Sequence, residues 1–442
     1  GAMLRLPAQL WQLHREGRHR RAAVARSEQG ISARRIAPPT AVQSKEAAVP
    51  PAPLVTATLP LPEQPLGEAL RKLKVACIMD EFTVSSFAPE CNLLPLSVDH
   101  WQQELEAFVP ELLFIESAWR GKDDRWGSKV GHLSSEVTDI LAWCRTRQIP
   151  TVFWNKEDPI HFETFLNTAR LFDHVFTTDI DCIHRYKSAL GHDRVYLLPF
   201  ACQPAASNPI EKYERKDAFC FAGAYYVRYP ERTRDLGNFM VNLAEYRPVE
   251  IFDRNFGKND PNSQFPADYQ SFIVGTLPFD QIDKAYKGYR YAINLNSIKQ
   301  SQSMFARRVF ELLASNTITI SNYSRGVRLL FGDLVVTTDS GQEVVRRLQS
   351  LCDDLVNERK FRLAGLRKVM RDHTYQDRLA YVVGKVRGDL LEAMKYEKRM
   401  ETQLTGYMQW FLDSRGWGDL VQGTSIHWPV PFQEMDTRNK PF

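Results

Sequence analysis

NLNSIKQSQSMFARRVFELLASNTITISNYSRG, residues 294–326, sets out a strand tip, a loop, a helix and a second strand in that order. Just upstream, Tyr291-Ala292-Ile293-Asn294-Leu295 is a short apolar run of the kind buried on both faces of a parallel sheet. It ends in polar Asn296 and Ser297. The predicted helix carries Arg307, Arg308 and Glu311, and the β-branched run Thr317-Ile318-Thr319-Ile320 leads into Asn322-Tyr323-Ser324-Arg325-Gly326. Arg308 and Glu311 are three apart and share a helix face. A surface ion pair is the plain explanation. Glu311, however, is bracketed by Val309, Phe310, Leu312 and Leu313, and a carboxylate among apolar neighbours needs a partner. The paired hydroxyls of a ribose would supply one, and the arginine would meet phosphates. Asn296, Arg308, Glu311, Ser324 and Gly326 are therefore candidate ligand contacts.

Working outward, the same rhythm of strand, polar tip and helix fills most of the chain. Ala218-Phe219-Cys220-Phe221-Ala222 runs into Gly223, followed by Arg228, Arg232 and Arg234 at the entry to a predicted helix. Glycine lets backbone amides approach an anion, and arginines clamp a diphosphate in bidentate fashion. Surface arginines on a helix are the commoner explanation of that pattern; Gly223, Arg228 and Arg232 join the candidates. Further strands are predicted at Val249–Phe252 and Leu334–Val336. In the first half they fall at Val75–Met79, Leu112–Ile115, Thr151–Trp154, His174–Thr178 and Val195–Leu198, with a helix over 134–147. This alternation predicts α/β architecture: two doubly wound domains, residues 71–205 and 206–385, with a helical extension and tail over 386–442.

Residues 1–70 read differently. A basic helix over 5–28 precedes a proline-dense linker holding Pro38-Pro39 and Pro50-Pro51. Gly1-Ala2-Met3 reads as the remnant of a removed tag, and such a tether suggests a further domain of a longer native chain, a disordered tail without a role being the alternative. Residues 1–35 carry eight Arg against two acidic residues, which leaves the rest at −2 out of a formal +4. That confinement argues against nucleic acid as a partner; the basic segment instead offers a peripheral contact with anionic lipid. Hydrophobic content of 43% and charged content of 25% suit a soluble globular chain. The seven cysteines are dispersed, without metal-ligand spacing, which suits reduced thiols in a cytoplasmic setting.

The block from Ser303 to Gly326, with its R-x-FE-x-LA helix at Arg308–Ala314, resembles the donor-binding region of the group-1-like glycosyltransferases, specifically their CgeB-like branch. The phrases FIESAWRGKDDRW (114–126) and TVFWNKEDPIHF (151–162) resemble the N-terminal domain of that branch. The resemblance spans about residues 72–385. It implies a GT-B fold, two Rossmann-like domains facing a cleft, with a nucleotide-diphosphate sugar, UDP-sugar favoured, on the second domain. The first domain would hold a glycan or lipid-linked glycan acceptor. In the wider family two glutamates with seven residues between them contact sugar and ribose; here the second is Glu311 and the first position holds Ser303.

Departing diphosphate charge can be stabilised by arginine and helix dipoles, so no metal and no other cofactor is expected. If transfer inverts the anomeric centre it needs a base, and the first-domain strand tips offer Glu81, Glu116, Glu157, Asp158 and His161. Asp158 before Pro159 also fits a helix cap. Trp119, Trp126 and Trp154 lie near the same tips, where they would either stack on sugars or fill the core. The function expected is glycosyl transfer in bacterial surface polysaccharide synthesis at the cytoplasmic face. The alternatives are a silent glycan-binding module and an epimerase or teichoic-type polymerase relative.

Overall fold

A computed structural model describes residues 69–388 apart from residue 259. The basic helix and proline-dense linker, with the lipid contact assigned to them, and the tail from 389 onward lie outside the described residues.

Two sheets of six parallel strands make up the described chain. The first holds β1 (Lys74–Ile78), β2 (Asn92–Pro95), β3 (Leu112–Glu116), β4 (Thr151–Asn155), β5 (His174–Thr177) and β6 (Val195–Leu197), ordered β2-β1-β3-β4-β5-β6. The second holds β7 (Lys216–Gly223), β8 (Val249–Asp253), β9 (Ile273–Gly275), β10 (Tyr289–Asn294), β11 (Ile318–Ser321) and β12 (Val336–Thr337), ordered β12-β11-β10-β7-β8-β9. Every residue of β3 and β4 is buried, because helices cover both faces. The strands absent from the sequence reading, β2 and β9, are both edge strands whose residues are mostly half-buried. Edge strands lack the unbroken apolar run of central ones, and Pro95 within β2 hides it further.

The order reverses between β1 and β3 in the first sheet and between β7 and β10 in the second. Crevices open at such switch points, outside the carboxyl ends of the strands. At the first, α1 (Glu81–Phe87) follows β1, and α4 (Phe162–Ala169) follows β4. The helices α2 (Trp101–Phe108), α3 (Ser135–Thr146) and α5 (Cys182–Leu190) complete that half. At the second, α6 (Pro230–Tyr246) follows β7, α7 (Asp283–Lys287) precedes β10, and α8 (Arg308–Ala314) follows it. The chain continues through α9 (Arg325–Phe331), α10 (Gly341–Cys352) and α11 (Leu355–Asp372) to α12 (Tyr375–Arg387).

α12 crosses back onto the first half. A capping box between Thr374 and Asp377 starts it, and a backbone bridge joins Thr374 to Cys202. One apolar cluster runs through both halves, from Val75, Phe87 and Trp154 to Phe310, Phe331, Tyr375 and Leu379. An interface with such a shared core resists rigid-body opening. Polar groups reinforce it at the β5 tip. Ile180 N donates to Ser303 Oγ at 2.8 Å, and that hydroxyl donates to Thr178 O at 2.9 Å. Ser301 Oγ donates to Asp179 at 2.5 Å, and Gln302 donates to Asp181 at 3.0 Å.

Candidate active site between two strand-tip clusters

The second-sheet switch point gathers four cations from three separate segments. Arg232 comes from α6, Arg254 follows β8, and Arg307 and Arg308 stand at the start of α8. Arg232 is buried and donates to Ala224 O at 2.9 Å. Burial, then the charges of Arg308 and Arg254, pull its pKa down to about 10. Arg254 is solvent-accessible, yet desolvation and the neighbouring Arg308 and Arg307 lower its pKa too. Nε of Arg308 is buried without a partner. The carboxylate among these cations is Glu311, held by Tyr286 Oη at 2.9 Å and by Arg307. Four guanidiniums against one carboxylate leave an excess of positive charge among the described residues. A cluster of this charge suits an anion with several oxygens.

At the first-sheet switch point the balance is reversed. Lys156, 1% exposed at its side chain, lies 2.6 Å from Asp80 and 3.1 Å from Glu116, with Glu157 at 4.0 Å. Burial pushes the Glu116 carboxyl up to about 7, against the pull of Lys156 and with the help of Asp80. Burial acts the same way on Asp80, but the Lys156 ammonium and the amides of Gly121 and Arg120 hold it below its ordinary value. Burial opposes the charge of Lys156; Glu116 and Asp80 outweigh it and raise its pKa. Asp80 also accepts from the amides of Trp119, Arg120 and Gly121 at 2.8–3.2 Å, so the loop after β3 is fastened to the β1 tip. The two clusters meet across one ring: Lys156 Nζ lies 4.4 Å and the Arg307 guanidinium 4.5 Å from the centre of Phe82.

Of the residues named from the sequence, Arg232, Arg308 and Glu311 come together here. The Arg308–Glu311 ion pair weighed as the plain explanation does not form: Arg307, one turn before Glu311, takes the carboxylate, and Arg308 Nε is left buried without a partner. Asn296 is buried, accepts from Ala306 N at 2.9 Å and donates to Ser321 and Asn322. Ser324 is the buried N-cap of α9, accepting from Val327 N. Gly326 makes room for the Ser301–Phe305 loop, since a Cβ there would meet Phe305 Cδ1 at 2.8 Å. Gly223 likewise answers packing, with Phe221 at 2.8 Å from a built Cβ. Arg228 is exposed and lies over the Tyr226 and Tyr229 rings.

On the first domain, Glu81 is exposed in the first turn of α1 and Glu157 is half-buried beside Lys156. His161 packs against Trp119 at 4.8 Å. Asp158 does not cap α4, whose N-cap is His161. It is fully buried, accepting from Thr177 at 2.6 Å and Asn155 at 2.8 Å, and desolvation raises its pKa to about 7. A carboxyl raised in this way favours the fold below the ordinary aspartate value, and that contribution fades as pH climbs through 7. Asp158→Asn should therefore flatten the decline in stability between pH 5 and pH 8, an effect of roughly 2–3 kcal/mol. Chemical denaturation at both pH values measures it; parallel pH profiles for the variant and the parent chain would contradict it. Trp126 and Trp154 are core residues with no exposure, whereas Trp119 is 41% exposed.

The sequence reading misses Arg254, Arg307 and Tyr286, whose segments are remote from one another in the chain. Their only local signal is position: Arg254 directly follows β8 at a strand tip. It also misses Asp179-Ile180-Asp181, an Asp-x-Asp triplet just past β5. Both carboxylates are taken up by Ser301 and Gln302 of the other half.

Residues 241–384 match the family described as glycosyl transferase-like. The spore protein CgeB of Bacillus subtilis (strain 168) is 21% identical over 231 residues, covering 50% of this chain and 66% of that protein. Among solved structures, sucrose-phosphate synthase from Thermosynechococcus elongatus aligns at 12% identity and a TM-score of 0.45, over 67% of this chain and 77% of that one. Anabaena HepE in complex with UDP aligns at 9% identity and a TM-score of 0.42, over 71% of this chain and 92% of that one. The matched stretch 241–384 takes in β8 to β12, so the second sheet is where the chain is similar to the glycosyl transferase-like family, and CgeB is similar to it over about half of this chain.

Proposed function

We propose that this chain transfers a glycosyl group from a nucleoside-diphosphate sugar, UDP-sugar favoured, to a glycan or glycolipid acceptor. The observation that carries this reading is the convergence of Arg232, Arg254, Arg307 and Arg308 around the single carboxylate of Glu311. Four positive charges against one negative leave +3, which matches the charge of a departing nucleoside diphosphate. Guanidiniums fixed before the reaction stabilise charge as it develops, so transfer is proposed to need no divalent metal. Glu311 would accept from the ribose hydroxyls. On the first domain, the acceptor hydroxyl oxygen bonds to the anomeric carbon as the bond to the β-phosphate oxygen breaks. In an inverting reaction its proton passes to Glu157 or His161. Buried, reduced cysteines agree with a cytoplasmic setting, and surface polysaccharide is the proposed destination of the sugar.

A thermal-shift screen against UDP, GDP, CMP, dTDP and ADP tests the donor site. One nucleotide at a hundredfold excess over its Kd should stabilise the fold by about 2.7 kcal/mol, and Glu311→Ala should abolish the shift. Silence toward all five would sink the reading. Ser303 favours a second reading, a glycan-binding module without turnover: its hydroxyl is spent on Thr178 and Ile180 and unavailable to a sugar. That module would bind saccharide and release no free nucleotide from any donor.

A further inference from the structure

We infer that Trp119 is the platform on which the acceptor stacks, and that the acceptor is a neutral saccharide. The inference rests on the glycosyl-transfer reading above and adds the class of its second substrate. Trp119 is 41% exposed, while Trp126 and Trp154 near the same strand tips are completely buried. An exposed indole normally rotates; this one packs against two rings, on a backbone that is itself tied to the β1 tip. His161 meets it edge-on at 4.8 Å and Phe165 at 5.4 Å, and its backbone amide is tied to Asp80 at 3.2 Å. A rigid aromatic face costs little ordering on binding, and it buries the C–H face of a pyranose while the ring hydroxyls stay free for polar partners.

Those partners stand beside it. Asp80 links Trp119 to Lys156, and Lys156 to Glu157. An apolar face with a few convergent polar groups is the usual make-up of a small-molecule site. The charge there excludes one class of acceptor. Asp80, Glu116 and Glu157 face Lys156, with Glu81 exposed in the next turn, while Arg307 across the Phe82 ring is taken up by Glu311. Arg120, next to Trp119, is paired with Asp124. An anionic sugar, such as a uronate or a phosphorylated glycan, would meet like charge; a neutral ring would find acceptors for its hydroxyls.

The test uses the full chain on a printed array of neutral hexose and N-acetylhexosamine oligosaccharides, with uronate-containing and phosphorylated ones alongside. Calorimetry then measures the Kd of the strongest binder. The expected result is binding confined to neutral saccharides, weakened at least tenfold by Trp119→Ala and less than threefold by Trp119→Phe. The nucleotide shift should be unchanged in both variants, which separates this inference from the donor-site reading and shows that both variants fold. No neutral saccharide bound by the parent chain, preference for the anionic ones, or equal binding by Trp119→Ala would each overturn it.

Discussion

Replacing Arg308 with alanine should lower kcat for transfer by about 10²–10³-fold, the usual loss when one preorganised charge-stabilising donor is removed. The same change should make the ligand-free fold slightly more stable. Arg308 is the leading charged neighbour depressing the pKa of both Arg232 and Arg254, and its own Nε is buried without a partner. Removing it relieves repulsion and an unsatisfied donor together. Opposite signs on stability and rate are the signature of a group held in an unfavourable state for the sake of a ligand. Arg307→Ala provides the contrast: it strips Glu311 of its ion pair, leaving the hydrogen bond from Tyr286, and should cost both stability and nucleotide affinity. Arg308→Lys keeps the charge without the fork and should fall between. Melting curves without ligand, set beside kcat with saturating UDP-sugar, measure both quantities. An unchanged kcat would remove Arg308 from the reaction; a loss of stability would make it an ordinary structural arginine.

The difference between Arg307 and Arg308 also shows where sequence reading reaches its limit. Helical spacing puts Glu311 three residues from one arginine and four from the other, and both spacings permit contact. Which arginine pairs depends on α7, since Tyr286 approaches Glu311 from a segment more than twenty residues upstream. Strands, their order of appearance and the polar character of their tips are local properties, and they were legible: β3, β4, β7 and β10 are apolar runs between polar ends. Strand order is not local. The reversal between β7 and β10 brings Arg254 to the cation cluster, and no periodicity in the chain announces it. Asp158 shows a different failure. Asp before Pro is a fair signal for a cap, but here the segment after Pro159 delays α4 until Phe162, and the carboxylate turns inward to Thr177.

Ser303 bears on how the two halves work together. Its hydroxyl, with the Ser301 hydroxyl and the Gln302 side-chain amide, engages the β5 tip of the other domain by hydrogen bonds added to the shared apolar core. A loop fastened in this way cannot swing while the first domain stays still. On the proposed function, donor and acceptor clusters would thus keep a fixed separation, with Phe82 between Lys156 and Arg307 as the point of contact. Fixed separation favours orientation of the reactants over closure as the source of rate.

Lys156 carries the largest expected effect on stability. Its ammonium is the cation between Asp80 and Glu116, and all three side chains are buried or nearly so. Lys156→Met preserves the length of the side chain and leaves two carboxyls facing each other, a change that should cost about 3–5 kcal/mol at pH 8. The cost should shrink toward pH 5. Glu116, already raised to about 7 with the lysine present, rises further without it and meets acid as a neutral group. A carboxyl with a raised pKa supports the fold below its ordinary value and withdraws that support as pH rises through the folded value, so the variant should lose stability more steeply than the parent between pH 5 and pH 8. Asp80 adds to this, because the lysine that lowers its pKa is gone. Adding Glu116→Gln to Lys156→Met should restore much of the stability at pH 8 and little at pH 5, where Glu116 is already protonated. Urea denaturation of the three proteins at both pH values decides the matter. A pH-independent cost would mean that Lys156 acts through packing over Phe82 and not through its charge, and the loop that carries Trp119 would then owe its position to the Asp80 amide contacts alone.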